Sequence, residues 1–146
     1  MTLKQSYADL GLKTLSRVHR TILRLSGGRV GRSAFGMPTV ELVTVGRKSG
    51  RARSTMLTVP VVEGERLVLV ASKGGDDRDP DWYQNLVVHP DVETTMAGQR
   101  RLMRARPATP EEKIELWPRV ERSYKGYAHY RRRTKRDIPL VICEPR

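Results

Sequence analysis

The sequence contains few cysteines, few aromatic residues and no long apolar run. Its single cysteine, Cys143, excludes an intramolecular disulfide and is typical of a protein in the reducing cytoplasm. Aromatic residues make up only 5% of the chain, which weakens the case for a protein that binds nucleic acid by stacking on its bases. No apolar stretch reaches the roughly 18 residues that a membrane-spanning helix requires. The 146 residues are sufficient for one hydrophobic core.

Acidic residues are scarce as well. The chain has 16 of them against 28 lysines and arginines, which gives a formal net charge of +12. Such an excess predicts an anionic partner: nucleic acid, an anionic membrane or a polyanionic cofactor. We find no helix-turn-helix, zinc-finger or ribonucleoprotein motif, so specific binding to nucleic acid is not expected. His19, His89 and His129 are too far apart for a local ligand motif, and no metal site is predicted.

The first 32 residues form the first of two predicted units, a basic amphipathic helix followed by a glycine linker. Apolar residues recur there at spacings of three and four, and lysines and arginines do the same on another face. Such a helix fits peripheral contact with an anionic membrane, at the inner face of the cell membrane. It equally fits packing against the second predicted unit, residues 33–146, as most amphipathic helices of globular proteins do.

A cationic loop at residues 44–53 is the most informative stretch of the chain. It lies between two runs rich in β-branched residues, 40–45 and 54–62, which predict the strands of a β-hairpin. Arginine and lysine suit phosphate and carboxylate groups, and the glycines allow backbone N–H groups to come close to a ligand. The loop is therefore suited to a polyanion, although its composition fits a solvated hairpin tip at least as well.

The rest of the chain predicts more strands than helices. Further strands are expected at residues 66–72, 92–96, 99–106 and 138–144, and helices at residues 81–88 and after Thr109. Asp79 is the expected N-cap of the first helix, and Thr109 with Glu112 forms the capping box of the second. The apolar run at 66–72 predicts burial on both faces or a barrel wall. No βαβ alternation occurs, so the predicted fold class is α+β: a mainly β, closed or partly closed antiparallel barrel with flanking helices.

Several separated motifs occur together in the second unit: residues 44–50 with Arg53, and residues 71–75, 79–86, 89–90 and 137–145. Together they resemble the deazaflavin-dependent nitroreductase family of actinobacteria, over about residues 38–146. The resemblance implies a split β-barrel of the FMN-binding-like kind that uses reduced coenzyme F420. It implies an oxidoreductase that transfers a hydride to a quinone, menaquinone-like, or to a nitro-aromatic acceptor. An FMN-binding split-barrel oxidoreductase and a basic nucleic-acid-binding protein are the alternatives.

The same resemblance implies where the coenzyme binds. Its ring requires a flat, mostly apolar slot, and its phosphate and polyglutamate tail requires cations and backbone donors. Val59 stands where some relatives carry a tyrosine, which predicts a more apolar acceptor pocket and favours quinones over nitro compounds. The implied cofactor-binding residues are Lys48, Ser49, Gly50, Arg53, Ser54, Thr55, Met56, Leu57, Thr58, Val59, Val70, Ala71, Ser72, Lys73, Asp81, Trp82, Tyr83, Gln84, Asn85 and Tyr127. Trp82 fits a core residue equally well.

Hydroxyl groups on the acceptor side are the implied catalytic groups, belonging to Ser72, Tyr124, Tyr127 and Tyr130. A tyrosine with an ordinary pKa of about 10 donates a hydrogen bond at neutral pH, so these groups would orient and polarise the acceptor oxygen. The spacing of three between the tyrosines also fits a packed helical stripe. Gly126 lies among them and favours a loose, lid-like segment.

Overall fold

The structure, a computed structural model, describes residues 33–146. The amphipathic helix, the glycine linker and the membrane contact predicted for residues 1–32 lie outside this part, and the division into two units stays a prediction. Residues 33–146 form eight β-strands and three α-helices. None of the helices in this part is long and apolar enough to cross a membrane.

The strands of the described part are β1 Ser33–Ala34, β2 Met37–Val45, β3 Ala52–Thr58, β4 Val61–Glu63, β5 Arg66–Val70, β6 Asp91–Met96, β7 Gln99–Pro107 and β8 Leu140–Pro145. The helices are α1 Asp81–Val88, α2 Pro110–Ser123 and α3 Gly126–Arg133. The single strand predicted at 54–62 is wrong, because the chain leaves the β2 ladder after Thr58 and β4 begins only after Pro60. Proline lacks the N–H that a continued ladder would require.

The strands form one antiparallel sheet that curls on itself. Its order is β1-β2-β6-β7-β8-β5-β4, and β3 pairs with β2 off this path. β3 and β4 therefore lie towards opposite ends of the sheet, yet only Val59 and Pro60 connect them. At this corner the N–H of Val59 donates to the carbonyl of Pro38 at 2.8 Å. The short connection brings the two ends of the sheet together, and the predicted split-barrel architecture is confirmed.

The sheet is buried on both faces where β5 and β8 run side by side. Leu67 and Leu69 pack with α1 in the barrel interior, while Val68 and Val70 pack with α2 and α3 on the other face. The continuous apolar run predicted this arrangement correctly. Cys143 belongs to the interior cluster, and its burial raises the pKa of the thiol to about 12. Such a thiol stays protonated and inert at neutral pH.

The predicted capping box at the start of α2 is confirmed. The hydroxyl of Thr109 accepts from the N–H of Glu112 at 3.2 Å, and the Glu112 carboxylate accepts from the N–H of Thr109 at 2.9 Å. Both groups would otherwise be left without a partner at the helix end. The capping box fixes the start of α2 at Pro110. Together with α3, α2 then covers the outer face of β5 and β8.

Candidate functional site

Two adjoining cavities lie beside β3 and the first turn of α1. The first, which we call the cationic cavity, has a volume of about 590 Å³ and is lined by Thr44, Gly46, Arg47, Lys48, Ser49, Arg53, Ser54, Thr55, Asp81, Trp82 and Asn85. The second, the aromatic cavity, has a volume of about 420 Å³ and is lined by Phe35, Met37, Thr55, Met56, Leu57, Thr58, Val70, Ser72, Lys73, Gly74, Pro80, Trp82, Tyr124, Tyr127 and Tyr130. Thr55 and Trp82 line both cavities, so the two share a wall.

The loop between β2 and β3 closes on itself as a tight turn. The N–H of Gly46 donates to the carbonyl of Arg51 at 2.7 Å, and that of Gly50 donates to the carbonyl of Gly46 at 2.8 Å. Gly50 has a φ of +71°, which glycine adopts without strain. A Cβ on Gly46 would lie 2.6 Å from the hydroxyl of Ser49. The two glycines therefore fix the backbone that presents Lys48 to the cavity.

Arg47 and Asn85 join this loop to α1. The buried side chain of Asn85 accepts from the N–H of Arg47 at 3.1 Å and from its guanidinium at 2.9 Å. The amide of Asn85 also donates to the hydroxyl of Thr44 at 3.2 Å. The guanidinium of Arg47 lies 3.3 Å from the carboxylate of Asp81. Arg47 and Asn85 thus position the loop, and the guanidinium of Arg47 is already engaged by the side chains of Asn85 and Asp81.

Lys48 and Arg53 have a different electrostatic environment from Arg47. Both are exposed at the cationic cavity, and within residues 33–146 neither side chain has an ion-pair partner. An anionic ligand at this cavity would therefore not have to displace a carboxylate of residues 33–146 from either cation. The hydroxyl of Ser49 accepts from the N–H of Arg51 at 3.1 Å, which fixes it at the rim of the same cavity.

Packed rings form one wall of the aromatic cavity. The centroids of Tyr124 and Tyr127 are 5.4 Å apart, and those of Tyr127 and Tyr130 are 6.1 Å apart. Phe35 stacks on Tyr124 with a centroid distance of 5.0 Å, although 71% of Phe35 is exposed. Phe35 and Gly36 both have positive φ, +54° and +76°, in the turn between β1 and β2. The tyrosine pairs pack edge to face and Phe35 stacks on Tyr124, and aromatic pairs favour both arrangements.

The hydroxyls of Tyr127 and Tyr130 are held in their protonated form. The hydroxyls of Tyr127 and Thr58 lie 2.6 Å apart and share a hydrogen bond. Burial raises the pKa of Tyr127, and its hydrogen bond with Thr58 opposes that shift only in part. The pKa of Tyr130 is raised first by its hydrogen bond with Tyr124 and then by burial. At neutral pH these groups can therefore donate hydrogen bonds but do not supply a negative charge.

Gly126 supports tight packing, which contradicts the predicted loose, lid-like segment. A Cβ at this position would overlap the ring of Tyr124, so only glycine lets that ring lie against the start of α3. Tyr127 follows directly and is only 5% exposed. The tyrosine stripe therefore packs as part of the fold and lines the cavity at the same time.

The structure brings most of the predicted site residues to the two cavities. Five of them line neither cavity: Gly50, Val59, Ala71, Tyr83 and Gln84. Val59 and Ala71 are buried in the barrel interior, so Val59 does not set the polarity of an acceptor pocket as we expected. Gln84 instead donates to the carbonyl of Asp79 at 3.0 Å. Trp82 belongs to the interior cluster, as a core residue would, and also lines both cavities; its binding of a cofactor stays a prediction.

Sequence reasoning missed Phe35 as a residue of the site. The predicted strands began only at residue 40, whereas the turn at Phe35 and Gly36 pairs β1 with β2. The signal that could have found it is the glycine after an aromatic residue between two short runs that can form strands. Sequence reasoning also gave no sign that Asn85 would bind Arg47, a residue 38 positions away.

Comparison with known proteins identifies relatives of this chain. The model of the protein family F420H(2)-dependent quinone reductase matches residues 15–145. A Mycobacterium tuberculosis protein named F420H(2)-dependent quinone reductase is 39% identical over 136 residues, which cover 90% of this chain and 91% of that protein. A solved structure titled F420-H2 dependent reductase is 36% identical with a TM-score of 0.67, covering 73% of this chain and 94% of that one. Another, described as a domain-swapped dimer, is 30% identical with a TM-score of 0.70, covering 90% and 99%.

Proposed function

This chain belongs to the F420H(2)-dependent quinone reductase family, and on that premise we propose that it transfers a hydride from reduced coenzyme F420 to a menaquinone-like quinone. The observation that carries the proposal is the pair of exposed cations, Lys48 and Arg53, at one cavity that shares a wall with a second cavity lined by tyrosines. The cations of the first cavity suit an anionic hydride carrier. The hydroxyl groups and rings of the second suit a planar acceptor that presents oxygen atoms.

The donor groups of the cationic cavity fit the tail of coenzyme F420. Lys48 and Arg53 would bind its phosphate and glutamate carboxylates, and Ser49 would add a hydroxyl at the rim. The first turn of α1 also lines this cavity, and its N-terminus favours negative charge. FMN carries a phosphate but no polyglutamate tail, so two exposed cations that have no ion-pair partner within residues 33–146 favour the longer anion.

The walls shared by the two cavities fit a flat ring. Thr55 and Trp82 border both cavities, and Leu57 and Val70 add apolar surface on the aromatic side. Burial of most of the ring surface against such side chains is the usual basis of cofactor binding. When bound, the coenzyme supplies the hydride. The chain supplies orientation, which is where proteins contribute most to cofactor-dependent reactions.

Hydroxyl groups of the aromatic cavity would bind the oxygen of a quinone. Tyr127 and Thr58 share a short hydrogen bond, so whichever hydroxyl accepts in it can donate to the acceptor. Tyr124, Tyr130 and Ser72 line the same cavity and extend this set of donors. Donation from neutral hydroxyls stabilises the negative charge that develops on the quinone oxygen as hydride arrives. Phe35 and Met56, both exposed, form an apolar rim that suits the hydrocarbon chain of a quinone.

Two finer features are part of the proposal. A nitro-aromatic compound is planar and presents oxygen acceptors, so the same hydroxyls would bind it as a second class of acceptor. Residues 1–32 would contact an anionic membrane, where quinones dissolve, and residues 33–146 would form the coenzyme-binding domain. The net charge of +12 supports the membrane contact, since each basic residue near an anionic surface contributes about 1 kcal/mol.

The test is a pair of titrations followed by a turnover assay. We expect the purified full chain to quench the fluorescence of F420 on binding and to bind FMN far more weakly. Addition of a soluble menaquinone analogue should then oxidise reduced F420 at a rate proportional to the enzyme. Tight FMN binding with a flavin spectrum, or no oxidation of reduced F420 by any quinone, would contradict the proposal.

A further inference from the structure

Arg136 forms more hydrogen bonds than any other side chain of residues 33–146. Its Nε donates to the carbonyl of Asp76 at 2.8 Å, and its Nη1 donates to the carboxylate of Asp79 at 2.9 Å. Its Nη2 donates to the carbonyls of Ala71 at 3.0 Å and Ser72 at 2.9 Å. The acceptors all lie between Ala71 and Asp79, so the guanidinium spans the whole loop that joins β5 to α1.

That loop has a backbone conformation that needs external support. Lys73, Gly74 and Gly75 all have positive φ, of +47°, +64° and +87°. A lysine in this region is strained, and such a conformation persists only where surrounding contacts hold it. Lys73 and Gly74 line the aromatic cavity together with Ser72, so the strained segment is part of the proposed acceptor site.

Neighbours of Arg136 tie the same loop to the end of α3. The hydroxyl of Thr134 donates to the carboxylate of Asp77 at 2.7 Å, and Arg133 donates to the carbonyl of Gly74 at 3.2 Å. A Cβ on Gly75 would lie 3.1 Å from the carbonyl of Tyr130, so the loop lies directly against α3. The segment that leaves α3 therefore holds the loop at its ends and in its middle.

These contacts join two walls of the aromatic cavity. One wall is α3 with Tyr127 and Tyr130, and the other is the loop with Ser72, which continues through Asp79 into α1 and Trp82. We propose that Arg136 is a positioning residue that sets the separation between these walls, and thereby the approach of the acceptor to the hydride donor. The proposal rests on the proposed function. A displacement of about 1 Å in such an arrangement can cost about a hundredfold in rate.

Arginine is required here because of the geometry of its donors. A planar guanidinium can direct several N–H groups at acceptors in different directions, whereas a lysine ammonium is a point charge on a flexible stem. Arg136→Lys would keep the charge next to Asp79 and lose most of the bonds to the backbone carbonyls. The variant should therefore fold while the loop loses its fixed position.

Arg106 provides a matched control. It also forms a fork, donating to Glu112 at 2.7 and 3.0 Å and to Glu144 at 3.3 Å. It lines neither cavity. Arg106→Lys should therefore disturb a comparable number of side-chain hydrogen bonds without moving either wall of the proposed acceptor site.

The experiment compares Arg136→Lys and Arg106→Lys in the full chain, below the unfolding temperature of both variants. We expect Arg136→Lys to lower kcat with a menaquinone analogue about tenfold or more, while the Kd for F420 stays within about twofold, because a displaced wall affects orientation rather than the cationic cavity. With deuterium-labelled reduced coenzyme its isotope effect on kcat should rise, because hydride transfer becomes the slower step. Arg106→Lys should match the parent in all three measurements.

Equal kcat and equal isotope effects in Arg136→Lys and the parent would overturn the proposal. An equal loss of kcat and of F420 affinity would overturn it as well, because the hydrogen bonds of Arg136 would then stabilise the whole domain. A parent chain that fails to oxidise reduced F420 would refute the proposed function and this inference with it. An active parent with an unaffected Arg136→Lys variant would refute this inference alone.

Discussion

The two cavities are built on opposite principles although they share a wall. The cationic cavity presents exposed side chains on a short turn, and within residues 33–146 Lys48 and Arg53 have no internal ion partner. The aromatic cavity presents packed rings, and the hydroxyl of Tyr127 is already hydrogen-bonded to Thr58. Charges without partners gain most from a ligand, whereas groups fixed by packing need little reorganisation when a reaction proceeds.

The difference indicates a division of labour. Affinity for the coenzyme should come mainly from the cationic cavity, and turnover should depend mainly on the aromatic cavity. Because Thr55 and Trp82 line both, the two contributions meet at the position where the coenzyme ring would lie. The division can be tested by variants that should change one quantity and leave the other unchanged.

The largest effect is expected for the double variant Lys48→Ala/Arg53→Ala. Each charge-assisted hydrogen bond contributes about 1.5–3 kcal/mol, so each substitution should weaken F420 binding by about tenfold or more and the pair by about a hundredfold at low salt. Fluorescence titration at several salt concentrations measures this, and kcat at saturating coenzyme should change little. Arg51→Ala is the matched control, since Arg51 belongs to the same turn but lines neither cavity.

Equal F420 affinity in the double variant and in the parent would show that the turn is an ordinary solvated hairpin tip. An equal loss in Arg51→Ala would show that net charge, rather than the position of the two cations, determines binding.

A smaller effect, on turnover instead of coenzyme affinity, is expected for Tyr127→Phe and Tyr130→Phe. Each keeps the ring and removes one hydroxyl, and a neutral hydrogen bond contributes about 0.5–1.5 kcal/mol, so turnover should fall by up to about tenfold. Coenzyme affinity should remain close to that of the parent. Steady-state kinetics with a menaquinone analogue, together with F420 titration, separate the two quantities. Unchanged turnover in both variants, or an equal loss of affinity and thermal stability, would identify the tyrosines as a packing stripe alone.

Phe35→Ala should have a weaker effect, confined to the acceptor. Phe35 is exposed at the rim of the aromatic cavity, so removal of its ring should raise KM about threefold for a quinone with a hydrocarbon chain, the loss of part of one apolar contact. A quinone without the chain should show no change, which provides the internal control. An equal rise in KM for both quinones would mean that Phe35 supports the tyrosine wall instead of contacting the chain.

The smallest effect on activity is expected for Glu112→Gln, which lies away from both cavities. Hydrogen bonds from Arg106 hold the pKa of Glu112 at about 2, below its usual 4.5. A lowered pKa contributes stability above pH 4.5 that is lost as the pH falls towards 2. We expect denaturant unfolding to show a loss of about 1 kcal/mol at pH 7 that shrinks towards pH 2, with kcat and F420 affinity unchanged. A loss independent of pH would contradict the assignment.

Features determined by local sequence could be predicted. The hairpin around residues 44–53, the capping box of Thr109 and the doubly buried β5 follow from spacing and residue type within a few positions. The grouping of cations at this cavity could be predicted for the same reason, because its two exposed cations lie on or next to one short turn. The broad fold also followed, since the strands far outnumber the helices.

Features determined by distant contacts could not be predicted. Asp79 was the expected N-cap of α1, but its carboxylate binds Arg136, 57 residues away, and Pro80 occupies the cap position. Gly126 indicated a loose segment, whereas the ring of Tyr124 occupies the space that a side chain would need. In each case the residue has a plausible local role, but it contacts a residue whose proximity in the fold cannot be read from the sequence.

The measurement that tests the division of labour most directly combines a truncated coenzyme with the double variant. F420 and the same deazaflavin without its phosphate and glutamates would each be titrated against the parent and against Lys48→Ala/Arg53→Ala. We predict that the parent binds the full coenzyme about a hundredfold more tightly than the truncated one, and that the double variant binds both equally. If the double variant still prefers the full coenzyme by the same factor, the tail does not bind to these two cations and the account is contradicted.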